Sequence, residues 1–315
     1  MLKYLIIPLA DNAVSFCNYS NSCRSTALIS SQTLSRAITW AMKENLCVQF
    51  LYPEAQIPEE LDTIIKGVDH ADIVPITAES SMLLKRAAVI VTENFDAKFF
   101  ESSKLYVVRT TLADFLSNEK KVRQIIRKVS RLNIVFTDIA EQNRQNIDAY
   151  GVILEKLIDN VAIEYEKGHN VQLNIISDRI MLTKMNNCNA GIENITLAPN
   201  GKFYLCPAFI SEPDLSCGTL ETGLTIINNQ LLDVKNAPIC KRCDAWQCKR
   251  CVWLNRKLTR ELITPGWQQC VMAHYERNAG RKLLERLRKQ SPNFMEEVDI
   301  PEIDYLDPFT KLEKV

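Results

Sequence analysis

The sequence predicts an α/β protein. A parallel sheet, open or closed into a partial (β/α) barrel, is followed by a small cysteine-rich domain. Three observations carry this. Apolar β-runs alternate with helical stretches through residues 1–176. Cysteines are thin in that part and crowd together after it: of 11 in the chain, eight fall between Cys188 and Cys270. Where the texture changes, Asn200-Gly201 sits between two apolar runs, a hairpin signal because both residue types accept positive φ.

Tyr4–Leu9 reads as the first strand, Ser31–Glu44 as a helix and Cys47–Leu51 as the second strand. Ile73–Ile76, Ala88–Thr92, Lys104–Val108 and Asn133–Thr137 are further short β-runs. Within Gln142–Lys167, the residues Ile147, Tyr150, Leu154, Leu157, Ile158, Val161 and Tyr165 recur near every 3.6 positions, which predicts a long helix with one apolar face. Val171–Ile176 is the last strand of this part. There is no G-x-G-x-x-G or Walker loop, so nucleotide sites of those kinds are unsupported. The hairpin delivers Cys206 to its far end, where Pro207 can stop the strand. A further helical stretch is expected over Asn278–Gln290.

Composition narrows the class. The 315 residues are 46% hydrophobic and 24% charged, ordinary for a globular chain. The 38 basic and 38 acidic residues balance, which argues against a protein built to coat nucleic acid. No run of about 20 apolar residues exists to span a bilayer. The opening apolar run is too short for a secretory signal, so a cytoplasmic protein is expected. In a reducing compartment thiolates serve metals rather than disulfides. Residues 241–290 hold 13 Lys/Arg against 4 Asp/Glu, and residues 291–315 hold 2 against 7. The basic stretch is either a docking strip for an acidic peptide or a solvated face neutralised by the chain's own tail.

The cysteine spacing carries the chemistry. Cys240, Cys243, Cys248 and Cys251 form C-x2-C-x4-C-x2-C. Four thiolates could hold one zinc, yet zinc ribbons separate their two arms by about 15–20 residues. Cys188, Cys206 and Cys270 bring the set to seven, too many for one tetrahedral site and nearly enough for two iron–sulfur clusters. Zinc stays open as the alternative. Cys47 and Cys217 read as buried thiols. His70, His169 and His274 are scattered and read as core or surface residues. Trp246, Trp253 and Trp267 flank the cysteines and are expected to shield them from water. Asp178-Arg179 reads either as a group at the ligand-facing end of the barrel or as a cap or salt bridge.

Cys188, then Gly201-x4-Cys206, the four-cysteine run and Cys270 together resemble the SPASM domain, a seven-cysteine module that follows radical SAM barrels in peptide-modifying enzymes. The likeness covers residues 185–275. It implies two auxiliary 4Fe-4S clusters, one on Cys240, Cys243, Cys248 and Cys270, the other on Cys188, Cys206 and Cys251. The fourth position of the second falls to Cys217 or to a substrate group. It also implies three parts: a radical-SAM-like barrel over 1–176, a SPASM-like domain over 177–275, and a basic helical segment with an acidic tail over 276–315.

Against the radical SAM signature C-x3-C-x-aromatic-C, this chain keeps Phe16 and Cys17 but has Ala10 and Val14 where the first two cysteines belong. Against the Gly-Gly-Glu element it keeps Glu54 but has Tyr52 and Pro53 for the glycines. Ala and Val offer no donor, and Cys17 with Cys23 leaves two nearby thiols where three are needed. The barrel therefore reads as inherited but degenerate, and the chain is not expected to cleave SAM by itself. The whole pattern, with the opening Lys3-Tyr-Leu-Ile-Ile-Pro-Leu, resembles the CXXX repeat peptide maturase family of bacterial modified-peptide systems. That implies a cysteine-rich precursor peptide as partner, with a true radical SAM maturase alongside. Two alternatives remain: an active radical SAM enzyme with unusual cluster ligation, and a zinc-binding scaffold.

Overall fold

The computed structural model describes residues 2–21, 25–182, 184–185, 188–292 and 294. Along the chain run β1 (Tyr4–Pro8), α1 (Ser31–Lys43), β2 (Cys47–Leu51), α2 (Glu59–Lys66), β3 (His70–Pro75), α3 (Ser81–Arg86) and β4 (Val89–Thr92). Next come β5 (Leu105–Thr110), α4 (Leu112–Ser117), α5 (Glu119–Ile126), β6 (Arg131–Phe136), α6 (Arg144–Glu166), β7 (Gln172–Leu173) and α7 (Asp178–Met181). The last elements are β8 (Asn194–Leu197), β9 (Phe203–Tyr204), the small pair β10 (Gly218–Thr219) and β11 (Gly223–Leu224), α8 (Val252–Thr259) and α9 (Trp267–Gln290). Among the described residues no helix is long and apolar enough to cross a membrane.

The chain forms two compact units. Of the described residues, the first draws on 2–92 and 189–237, the second on 93–188 and 238–294.

In the first unit the strand order is β4-β3-β2-β1-β8-β9. All neighbours are parallel except the β8–β9 hairpin. The parallel strands are apolar almost throughout, as strands buried on both faces must be. α1 starts where the Ser30 hydroxyl caps the amide of Thr33, and it buries Leu34, Ala37, Ile38 and Ala41. Trp40 of α1 packs on Phe203 of β9, ring centres 4.7 Å apart, so the hairpin is anchored on this helix. The hairpin turn differs from expectation. Gly201 takes positive φ (77°) and Asn200 does not. Asn200 instead accepts the amide of Lys202 on its side chain, and the Gly201 amide closes a turn on Ala198. This is a three-residue loop with glycine at its left-handed position rather than a two-residue turn.

In the second unit β5, β6 and β7 pair in parallel order. α6 buries the apolar face predicted for it, including Ile147, Tyr150, Leu154 and Val161. β7 is far shorter than the Val171–Ile176 run: the Ser177 hydroxyl takes the Leu173 amide and turns the chain out of the sheet. Asp178 is wholly buried, its carboxylate paired twice with the guanidinium of Arg131 at 2.8 and 3.1 Å. Gln172 accepts from the same guanidinium. Of the two sequence readings of Asp178, the structure has the salt bridge.

α9 begins at Trp267, 11 residues before the predicted helical stretch. It lies along α6 in the same direction. Tyr275 meets Asp148, Lys282 meets Glu155 and Arg286 meets Asp159, always 127 residues apart. The basic helix is thus neutralised by acids of α6, while the acidic tail falls outside the described residues apart from Ser291, Pro292 and Phe294. Gly280 permits a close crossing, because a Cβ there would stand 2.8 Å from the Ile176 carbonyl.

Candidate functional site

The cysteines of the second unit gather on short segments. Cys240 opens a 3-10 turn that ends at Cys243, whose amide returns to the Cys240 carbonyl. Cys248 closes the next turn on Ala245. Cys270 sits in the first turn of α9, near the positive end of the helix dipole. These four sense one another. Burial pushes the Cys248 thiol up to about 12, helped by the charges of Glu276, Cys240 and Cys270. Burial, then Cys240 and Cys243, push Cys270 up to about 11. Burial and Cys243 also raise Cys240, while the Arg250 guanidinium opposes them.

Cys251 belongs to a second grouping. It caps α8, its sulfur accepting the Leu254 amide at 3.5 Å. Burial, then the charge of Cys188, push it up to about 12. The backbone ties Cys188 to this run through its amide on the Lys249 carbonyl. Between Cys248 and Cys251 the chain takes a left-handed conformation at Arg250 (φ 42°), costing of order 1–3 kcal/mol for a non-glycine residue. That bend lets two cysteines three residues apart serve different neighbours.

Whether such residues suit an iron–sulfur cluster is decided by their donors. The donors are soft sulfurs carried on adjoining turns and the start of α9, and the ten described cysteines form no disulfide. A buried guanidinium (Arg250, 2% exposed) stands by Cys240 to offset the charge of a thiolate-held cluster. The N-terminus of α8 presents the Leu254 amide to the Cys251 sulfur, a contact that works against the burial raising that thiol. The residues fit. Among the described residues, no three His, Cys, Asp or Glu stand close enough to hold a single metal ion.

Cys206 and Cys217 lie in the first unit, after β9. Cys206 precedes the turn Pro207–Phe209, and Cys217 bonds through its amide to the Phe203 carbonyl. The Cys217 sulfur lies near the Leu205 backbone, next in sequence to Cys206.

The counterparts of the radical SAM elements also lie in the first unit. After β1 the chain buries Ala10, Ala13 and Phe16, with Cys17 half-buried. Val14 donates its amide to the Tyr52 carbonyl at 2.9 Å, so the two degenerate elements touch. Tyr52 is 1% exposed, and its hydroxyl accepts from Arg86. Burial, then the Asp72 carboxylate, raise its pKa far above the phenol range. Glu54 is exposed and accepts the Thr77 hydroxyl at 2.6 Å. Cys23 lies outside the described residues.

The tryptophans divide. Trp246 packs under the Arg179 guanidinium at 3.8 Å, and Trp253 faces Lys257. Trp267 is about half exposed (49%) and shields little. His274, scattered from the other histidines in sequence, brings its Nε2 to 3.7 Å from the Cys243 sulfur instead of serving only as a core or surface residue. The signal for it was the i, i+4 spacing from Cys270, invisible while the helix was expected to start at Asn278.

No family model matches the sequence, and no curated protein matches it. Solved structures match at the level of fold. anSMEcpe, a radical SAM/SPASM anaerobic sulfatase maturase, solved with AdoMet and the Cp18Cys peptide, aligns over 92% of this chain and 100% of its own, TM-score 0.62 at 12% identity. The same protein with AdoMet alone gives 0.64 at 12%, over 92% and 96%. With AdoMet and the Kp18Cys peptide it gives 0.62 at 13%, over 92% and 100%. The chain therefore shares the fold of these structures, a mixed α/β architecture with a mostly parallel sheet of the partial (β/α) barrel kind.

Proposed function

We propose that this chain is a peptide-maturation protein of a bacterial modified-peptide system of the CXXX repeat type, working in the cytoplasm. It would hold 4Fe-4S clusters and bind a cysteine-rich precursor without cleaving SAM itself. The observation that carries the reading is geometric: Gln269 and His274, on either side of Cys270 in α9, reach the sulfurs of Cys248 and Cys243, and Cys240 shares a turn with Cys243, in a chain whose fold matches those structures. Those four would hold one cluster. Cys188 and Cys251 would serve a second, to which the SPASM resemblance adds Cys206. When bound, the clusters would supply one-electron transfer and an iron soft enough to take a substrate thiolate.

The chain's own groups do the rest. Arg250 would offset negative charge, the Leu254 amide at the start of α8 meets the Cys251 sulfur, and Gln247 braces the Cys248 loop on α9 through the Ala273 carbonyl at 2.7 Å. Against SAM cleavage stand Ala10 and Val14, which offer no ligand atom, and Tyr52 and Pro53, buried where glycines would leave room.

The alternative, an active radical SAM enzyme, is favoured by the AdoMet and peptides bound in the neighbouring structures. One experiment separates the two. The chain is co-expressed with a cysteine-repeat precursor and its partner maturase, with mass analysis of the peptide, and the reduced chain alone is incubated with SAM. The proposal expects peptide modification to depend on this chain and no 5′-deoxyadenosine from the chain alone. Formation of that product, lost in Cys17→Ala, would establish the alternative.

A further inference from the structure

α9 supplies more than Cys270 to the cysteine site. His274 follows one turn later on the same face, with Nε2 at 3.7 Å from the Cys243 sulfur. Gln269 is more than nine-tenths buried (8% exposed), and its Nε2 reaches 4.0 Å from the Cys248 sulfur. The Ala245 amide points at Cys243 from the other side, at 3.5 Å. Glu276, on the same helix, accepts from Gln247 and from Tyr150 of α6, so this stretch of α9 is held in place.

Building on the proposed function, we infer that His274 and Gln269 are positioning residues that donate N–H···S hydrogen bonds to Cys243 and Cys248, raising the reduction potential of the cluster those cysteines hold. The physics is direct. One-electron reduction adds negative charge to the cluster and its sulfurs. N–H donors aimed at those sulfurs stabilise the reduced state more than the oxidised one. Removing a donor therefore makes reduction harder, as losing outer partners does at metal sites generally. A ring nitrogen that carries hydrogen donates to sulfur, and the 3.7 Å approach makes Nε2 the donor to Cys243.

The test uses the full chain, reconstituted anaerobically with iron and sulfide and titrated with dithionite while its electron paramagnetic resonance signal is followed. His274→Leu and Gln269→Leu should each lower the midpoint potential, with iron content unchanged. Together they should weaken the reduction equilibrium on the order of tenfold, which is 59 mV for one electron. His274→Asn, which keeps an N–H donor, should recover part of the shift. Full iron with an unshifted potential in both leucine variants overturns the inference alone. Loss of iron in His274→Leu makes the residue a ligand and overturns the donor role. A wild-type chain that binds no iron and sulfide overturns the proposed function, and this inference with it.

Discussion

Two regions of this chain contrast in what occupies the positions where the sequence resemblance expects cluster ligands. After β1 and β2, the positions that match the radical SAM elements carry Ala10, Val14, Tyr52 and Pro53, and hydrocarbon or ring fills the space. From Cys240 to Cys270 four thiols are kept together although burial and mutual charge raise three of them. The first region spends its positions on packing. The second places thiols where burial and neighbouring charge disfavour the thiolate, a cost that a bound cluster would offset under the proposed function.

The largest effect should come from breaking the second region. Cys248→Ala should release about four of about eight irons, read by iron and sulfide analysis, while Cys17→Ala releases none. Iron loss from Cys17→Ala would mean that the first region still holds a cluster. Next comes Tyr52. As a core residue it should cost about 3–5 kcal/mol on replacement by alanine, measured by urea unfolding. A neutral result would show the space around it open to a ligand.

A smaller effect is expected from the polar network beneath Tyr52. His70 faces acceptors at both ring nitrogens, the Val68 carbonyl at 2.7 Å and Asp72 at 3.2 Å. Burial works to lower its pKa, but the Asp72 carboxylate outweighs it and raises it. Burial works to raise Asp72, and His70, Tyr52 and Arg86 together hold it below the ordinary range. His70 thus stabilises fully below its unfolded pKa and less as pH rises through its raised folded value. Asp72 stabilises above its unfolded pKa and less as pH falls through its lowered one. The stability lost in Asp72→Asn should be largest between about pH 4 and 6.5 and shrink on either side. A flat difference across that range would contradict the network. The smallest effect is expected from Glu54→Gln, within about 0.5 kcal/mol and without change in precursor binding, because this exposed carboxylate meets only Thr77 and water-facing backbone. A large loss of binding would give Glu54 a role of its own.

Much of this was legible in the sequence. β2 falls on the predicted residues, and β1, β4 and α6 differ from prediction only at their ends, because buried parallel strands and a long amphipathic helix announce themselves by pattern. What escaped was set by single tertiary contacts. The Ser177 hydroxyl cuts β7 short. α9 begins at Trp267, just after Gly266 lies against Leu258, and no side-chain cap marks the start in the sequence. That missed start hid the shared face of Cys270 and His274, and Arg250 gave no sign of its left-handed turn.

The central claim rests on inorganic iron and sulfide, so their direct assay decides it. The chain, purified and reconstituted without oxygen, should carry about eight irons and an equal amount of acid-labile sulfide. Stoichiometric zinc with no sulfide would contradict the account.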